Sequence, residues 1–306
     1  MDLSLLFEGG SIEMQKKKRI TFYTICATLA LMIALLLTLA VFGLVSLISN
    51  GISASNENAP ISIGATETKT FNQSDVYKGD LLILDATHPL ASPATVVLMK
   101  VSRPTTEAGM PVYTINGIEN LCLRSDALKQ FNSMAEDFYK QSKDDNLIVF
   151  NAYDESKSSQ SALYESGTTV ALGYYTLLSD NTYKKNESIY GVGTYNWIYN
   201  NAHRYGFVVM PSDDGSGSNV FRYVGLPHAL AMSAKNLSFE GYLEYLKSST
   251  SPDSPLAVSS STRSYAIYYL PAKGPHKVPT EYGYTVSGNN ADGFIVTVDI
   301  SAKKSK

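Results

Sequence analysis

The stretch from Gly215 to Lys247 decides the fold and reads GSGSNVFRYVGLPHALAMSAKNLSFEGYLEYLK. Its middle, FRYVG followed by LPHA, is the most specific run in the chain, and a polar, glycine-rich loop precedes it. That loop is not a phosphate loop, because no lysine follows its glycines. After Ser238, apolar residues recur at three- and four-residue steps and predict one face of a helix: Phe239, Tyr242, Leu243 and Leu246.

The composition of the 306 residues restricts the class of protein. The formal net charge is −3, so nothing indicates a nucleic-acid partner. The two cysteines are Cys26, inside an apolar run, and Cys122, far downstream, so the sequence predicts no intrachain disulfide. Cys122 is typical of a small buried hydrophobe, and intermolecular pairing is the alternative.

The N-terminal region predicts a membrane anchor. A basic run, KKKR at 16–19, precedes residues 20–49, which carry no charge. A bilayer core needs roughly 20 apolar residues, so this run is long enough to cross it. Basic residues stay on the cytoplasmic side, which predicts a cytoplasmic tail at 1–19 and an extracytoplasmic remainder. The alternative is a cleaved signal peptide, whose apolar region is usually about 7–15 residues; Met14 is an alternative start.

Composition divides the rest of the chain into three parts. Residues 50–74 are rich in small polar residues and predict a linker. Residues 75–248 predict the core domain, and residues 249–306 predict a C-terminal β-rich module that packs on it, because so few strands are marginal alone. The expected fold class is α+β, with helices packed on a small antiparallel sheet, an N-terminal transmembrane helix and a short C-terminal β module.

Local patterns predict the elements of the core and the module. Ser125 is the predicted N-cap of an amphipathic helix, and a second helix is predicted over 196–205, ending at Gly206 in the left-handed conformation. Residues 248–261, which contain two prolines, are expected to be a second linker. Apolar and β-branched runs predict strands at 81–84, 96–101, 112–115, 147–150, 265–270, 284–286 and 294–298.

Four segments together resemble the VanY-type D-alanyl-D-alanine carboxypeptidases. They are the GDLLIL…HP run within 75–90, the strand and loop at 147–160, the helix and strand at 195–207, and FRYVG with its continuation at 221–247. Members of that family are zinc enzymes that trim peptidoglycan stem peptides. The resemblance implies a Hedgehog/DD-peptidase-like fold in which a small antiparallel sheet forms the zinc groove.

The positions that carry chemistry in that family hold other residue types in this chain. The family has Glu-x-Trp-His directly before FRYVG, with the Glu as general base and the His as zinc ligand. Here the four positions are 217–220, so that Gly217 and Val220 replace them. The family's Ser-x-His-x-x-Gly-x-Ala-x-Asp motif, aligned on Gly167, places Tyr164 at the His and Ala171 at the Asp, both of which are zinc ligands; the spacer before this motif is shorter here.

The substrate-binding loop of the family, Ser-Gly-Tyr-Arg-Ser…Gln, matches in part. Tyr153 and Gln160 keep the pattern, whereas Asp154 takes the place of the Arg that grips the substrate carboxylate. An aspartate would repel that group. We therefore expect Tyr153, Gln160, Arg222 and Tyr223 to be candidate groove-binding residues.

The histidines do not supply a replacement metal site. His88, before a proline, predicts a turn, His203 predicts a helix end, and His228 stands where family members also carry a His. We expect no catalytic residue, no metal ligand and no cofactor, although zinc is expected for the family. The sequence thus predicts a pseudopeptidase of the bacterial cell membrane that binds cell-wall peptide or an envelope protein, with an active carboxypeptidase of peptidoglycan metabolism as the alternative.

Overall fold

The computed structural model describes residues 61–91, 97–117, 120–212 and 217–304, all within one compact unit, Ala54–Lys306. The predicted tail and anchor, at 1–19 and 20–49, lie outside these residues. Across the part of the chain that is described, no helix has the length and apolarity needed to cross a bilayer.

The described residues contain α-helices, 3₁₀ turns and strands in a mixed order. The helices are α1 Ser125–Ser142, α2 Ala162–Glu165, α3 Asn196–Asn201, α4 Leu226–Lys235 and α5 Phe239–Ser249, with 3₁₀ turns at Gln73–Tyr77, Gly193–Tyr195 and Ala202–Tyr205. The strands are β1 Thr66–Lys69, β2 Leu98–Lys100, β3 Thr114–Ile115, β4 Leu121–Arg124, β5 Leu147–Asn151, β6 Tyr153–Asp154, β7 Thr169–Leu177, β8 Tyr183–Asn186, β9 Phe207–Val209, β10 Val220–Tyr223, β11 Leu256–Ser259, β12 Ser264–Pro271, β13 His276–Pro279, β14 Tyr282–Gly288 and β15 Gly293–Lys303.

The central sheet has the order β3-β5-β7-β10-β9, with β8 paired to β7. The α+β class is confirmed, but the sheet is mixed rather than antiparallel, because β3 runs parallel to β5. Parallel neighbours need a long crossover, and the chain between β3 and β5 supplies one that contains β4 and α1. Three smaller sheets accompany it: β1-β13, β2-β4-β6 and β11-β12-β15-β14.

Helix α1 covers one face of the central sheet. Its predicted apolar face is confirmed as buried, with Leu128, Phe131, Ala135 and Phe138 inside the first core cluster. The helix begins one residue earlier than expected, so that Arg124 is the N-cap and donates no cap bond from its side chain.

The predicted ends of α5 and of the 196–205 helix are confirmed. Ser238 caps α5, since its Oγ accepts a hydrogen bond from the Gly241 N–H at 3.1 Å, and the predicted apolar face of α5 is buried. The other helix changes to 3₁₀ geometry at Ala202, and Gly206 ends it with a φ of +82°.

The C-terminal strands pack on α4 and α5, as predicted. A second core cluster joins these helices to Val258, Ile267 and Ile295 of β11, β12 and β15. His228 of α4 fixes the junction, because its Nδ1 lies 2.9 Å from the Tyr242 hydroxyl and its Nε2 lies 3.0 Å from the Thr297 hydroxyl.

Two sequence expectations differ from the structure near this module. Leu81–Leu84 does not form a strand, because its backbone bonds go to a turn of the module: Leu81 N–H donates to Ser287 Oγ and Ile83 N–H donates to the Asn289 carbonyl. Strands β1 and β11 lie within the ranges expected to be linker, where they pair with β13 and β12.

Candidate functional site

The two family ligand positions on the sheet face each other. Val220 in β10 and Ala171 in β7 are direct cross-strand partners. Residues opposite each other in an antiparallel pair have Cβ atoms about 5 Å apart. Ala171 is buried and Val220 is half-buried, so this part of the sheet presents a methyl and an isopropyl group.

The third family ligand position, Tyr164, lies near the Asn151 side chain. Burial raises the pKa of the Tyr164 phenol above its ordinary value. Asn151 in β5 is itself a cross-strand partner of Ala171. Ser161 positions Tyr164, because its Oγ accepts the Leu163 N–H and starts helix α2.

The position of the family's general base is filled by an aromatic ring. Gly217 has a φ of +92°, and a Cβ added to it would overlap the ring of Tyr190. That ring packs edge-on against Tyr199 at 6.2 Å between centroids, and the Tyr199 hydroxyl donates to the Ser218 carbonyl at 2.8 Å. A side chain of any size at residue 217 therefore requires Tyr190 to move.

Asn219, at the family's Trp position, joins the loop to β7. Its Nδ2 donates to the carbonyl oxygens of Leu172 at 2.8 Å and Glu187 at 2.7 Å. The Leu172 N–H in turn donates to the Asn219 carbonyl at 3.0 Å. Asn219 therefore holds the loop against β7 through hydrogen bonds to the backbone.

The loop at 153–160 is held by its own polar groups. Asp154 accepts hydrogen bonds from the N–H and hydroxyl of Ser156, which lower the pKa of its carboxyl. Gln160 accepts from the Asp154 N–H at 3.1 Å and donates to the Asp154 carbonyl at 3.3 Å. The buried Asp154 carboxylate thus stabilises a turn, while Tyr153 is half-buried in β6.

The Arg222 guanidinium is enclosed by the protein. It donates from Nη1 to the Leu82 carbonyl at 2.8 Å and from Nη2 to the Asp80 carbonyl at 3.1 Å. It also lies 4.6 Å from the centroid of the Phe239 ring. Burial lowers the pKa of Arg222 to about 10. These contacts fix the segment before β2 to the sheet, which is a structural role that the sequence pattern does not reveal.

Tyr223 packs within the core edge. Its ring lies 5.4 Å from that of Phe207 and 5.9 Å from the Arg124 guanidinium, and burial raises the pKa of its phenol to about 12. Groove binding by Tyr153, Gln160, Arg222 and Tyr223 stays a prediction.

The histidines lie in separate places. His88 belongs to a turn in which Asp85 Oδ1 accepts its N–H at 2.8 Å, in agreement with the turn prediction. His203 is half-buried on the 3₁₀ turn, and His228 is buried at the module junction, where burial lowers its pKa to about 4. Cys122 is buried in β4, as its pattern predicts.

The donor set does not fit a catalytic zinc ion. Such an ion needs three protein ligands and an open position, but alanine and valine carry no donor atom and Tyr164 is a neutral phenol with a raised pKa. Among the described residues, no group of three or more His, Cys, Asp and Glu side chains could hold a metal.

Two residues of this site were missed at the level of sequence, Tyr190 and Asn151. Tyr190 lies far from Gly217 along the chain, and no motif connects the two. Asn151 is an ordinary residue type for the end of a strand, so the sequence does not single it out. Its position in the site follows from its pairing with Ala171 and its proximity to Tyr164.

Comparisons with known proteins agree on the relationship. No family model matches the chain. A D-alanyl-D-alanine carboxypeptidase of Enterococcus faecium is 30% identical over 252 residues, which cover 76% of this chain and 79% of that protein. Among solved structures, the vancomycin resistance D,D-dipeptidase VanXYg, in complex with a D-Ala-D-Ala phosphinate analogue, has a TM-score of 0.58 and 21% identity over 77% of this chain and 100% of that chain.

The structural likeness to VanXYg supports the fold alone. VanYB in complex with D-alanine-D-alanine has 15% identity over 56% of this chain and 99% of that chain, and its TM-score of 0.34 is too low to support an argument. The identity to the Enterococcus faecium protein extends over most of both chains. This chain therefore belongs to the VanY-like D-alanyl-D-alanine carboxypeptidase family.

Proposed function

We propose that this protein is a membrane-anchored, extracytoplasmic pseudopeptidase that binds cell-wall peptide or an envelope protein without catalysis. The observation that carries the proposal is the pairing of Val220 with Ala171, which puts two donor-free side chains at two family ligand positions. The segment at 20–49 is the proposed single-pass anchor, with the N-terminus in the cytoplasm.

Loss of catalysis follows from several independent replacements. Without its ligands a metal cannot lower the pKa of a bound water, and without a carboxylate at residue 217 no general base stands beside it. The Tyr190 ring also fills that position. Asp154, in place of the Arg, is bonded into its own turn and cannot clamp a substrate carboxylate.

Binding rests on the parts of the groove that are kept. VanXYg was solved with a D-Ala-D-Ala phosphinate analogue, and this chain keeps Tyr153 and Gln160 of the loop that grips the substrate in the family. Around Tyr164 and Asn151 the groove offers neutral hydrogen-bonding groups, which suit an amide or hydroxyl better than a carboxylate.

The alternative function is an active D-alanyl-D-alanine carboxypeptidase of peptidoglycan metabolism, which the name of the Enterococcus faecium relative favours. One assay separates the two: residues 54–306 are incubated with a peptide ending in D-Ala-D-Ala, with and without added zinc, and released D-alanine is measured. We expect no release of D-alanine above the buffer control. We also expect the protein to bind peptidoglycan fragments in a sedimentation assay, or to retain an envelope protein. Turnover that a chelator abolishes would refute the proposal.

A further inference from the structure

A second candidate site lies at one edge of the central sheet. Strand β9 is the last strand of that sheet. A cleft of about 240 Å³ adjoins it, between the helix at 196–205, α4 and the start of α5. It shares no residue with the Tyr164, Ala171 and Val220 positions.

The outer side of β9 carries backbone groups that have no hydrogen-bond partner among the described residues. The backbone N–H and C=O of Val208 point towards β10, where Val208 pairs with Arg222. This follows from the bonds two residues away on either side, in which Met210 N–H donates to the Val220 carbonyl and Val224 N–H donates to the Gly206 carbonyl. Antiparallel pairs alternate between bonded and non-bonded positions. The N–H and C=O of Val209 therefore point away from the sheet, and Val209 is 37% exposed.

The cleft beside this edge combines apolar walls with polar side chains. Phe207, Met232 and Leu237 supply apolar surface, and His203 and Asn236 supply polar side chains. Within the described residues, the His203 ring makes no hydrogen bond, and burial lowers its pKa. The ring is half-buried, so one side of it forms part of the cleft wall while the other polar edge stays open to solvent or a ligand.

The charge near the cleft favours an acidic partner. None of the described residues that line it carries a carboxylate. The exposed Arg204 directly follows His203, and Lys235 directly precedes Asn236. An open strand edge gives affinity to an extended peptide through backbone bonds, and an adjoining pocket selects its side chain.

We propose that the outer edge of β9 and this cleft form a docking site for an extended, acidic peptide segment of a partner protein. The segment pairs with the backbone of Val209, adds a strand to the central sheet and places an apolar side chain in the cleft beside His203. The site does not include Tyr164, Ala171 or Val220, although Tyr199 lines it and also bonds to the Ser218 carbonyl; it does not depend on the proposed pseudopeptidase function.

The test uses the full chain in detergent micelles and a dye-labelled, end-blocked peptide, Asp-Thr-Phe-Thr-Asp, followed by fluorescence anisotropy. A control peptide is N-methylated at the Thr-Phe-Thr nitrogens, which keeps the side chains and removes the donors. We expect the parent peptide to bind and the methylated peptide to bind about tenfold more weakly, since more than one backbone bond is lost. Failure of the parent peptide to bind, or equal binding of both, overturns the proposal.

Two variants locate the site. Val209→Pro removes an N–H that points outward, which edge strands tolerate, and should weaken binding about fivefold, whereas Val209→Thr keeps the donor and should bind like the native chain. Ser233→Phe fills the cleft from its rim without touching the strand and should also weaken binding, which covers the case in which the proline variant does not fold. Unchanged affinity in a folded Val209→Pro or Ser233→Phe variant overturns the proposal, as does lost affinity in Gln160→Ala, which changes the family groove alone.

Discussion

The packing of the Tyr190 ring on Gly217 predicts how far a side chain at residue 217 lowers the free energy of unfolding. Gly217→Ala adds a Cβ at a φ of +92°, a conformation that costs a non-glycine residue about 1–2 kcal/mol. The Cβ also displaces the Tyr190 ring from Tyr199, and aromatic pairs of this kind contribute about 0.5–1.5 kcal/mol. The free energy of unfolding should fall by about 1.5–3.5 kcal/mol in total.

A matched control separates the two contributions. Gly191 has a φ of +75°, but an added Cβ would meet nothing within 4 Å, so Gly191→Ala measures the backbone cost alone. Urea unfolding of residues 54–306, followed by circular dichroism, gives each value. In a Tyr190→Ala background, the extra cost of Gly217→Ala over Gly191→Ala should disappear. If Gly217→Ala costs no more than Gly191→Ala in the native background, the ring does not fill the position of the general base, and this reasoning is refuted.

Three further predictions concern the junctions that hold the site. The buried His228 has a pKa of about 4, below its ordinary 6.5, so the unfolded chain binds more protons between these values; the free energy of unfolding should fall by up to about 3 kcal/mol as the pH drops from 6.5 towards 4, and His228→Gln should flatten this slope in urea titrations. Arg222→Met should lower the free energy of unfolding by about 3–5 kcal/mol, because two buried carbonyl groups lose their donor. As a control in the same urea titration, the exposed Arg204→Met should lower it by under about 0.5 kcal/mol. Asn290→Ala should speed amide exchange at 83–89 by hydrogen-exchange mass spectrometry, since Asn290 Nδ2 donates to three carbonyl groups there; unchanged exchange would contradict this role.

The sequence was informative where a local pattern determines local structure. Helix α5 was predicted because its cap and apolar face lie within one short run, and Gly206 because a left-handed helix end favours glycine. Leu81–Leu84 was wrong as a strand, since the turn at 287–293 takes its backbone bonds and no local signal records so distant a partner.

The candidate site, too, was predicted from the sequence only in part. The family motifs identified the three ligand positions, and the strand register then placed Val220 opposite Ala171. The motifs could not show that Arg222 is enclosed by carbonyl groups, or that Tyr190 covers Gly217, because both depend on contacts between distant segments.

If the family site is kept as a scaffold without its metal, the chain should have no high affinity for zinc. Residues 54–306 would be titrated with zinc against a chromophoric chelator, beside a variant that carries Tyr164→His, Ala171→Asp and Val220→His. We expect the native chain to leave zinc with the chelator, while the variant, with three donors on a matching backbone, competes for it. Stoichiometric zinc binding by the native chain would contradict a site without metal. If Ala171→Gly and Val220→Ala left that binding unchanged, other residues would hold the zinc.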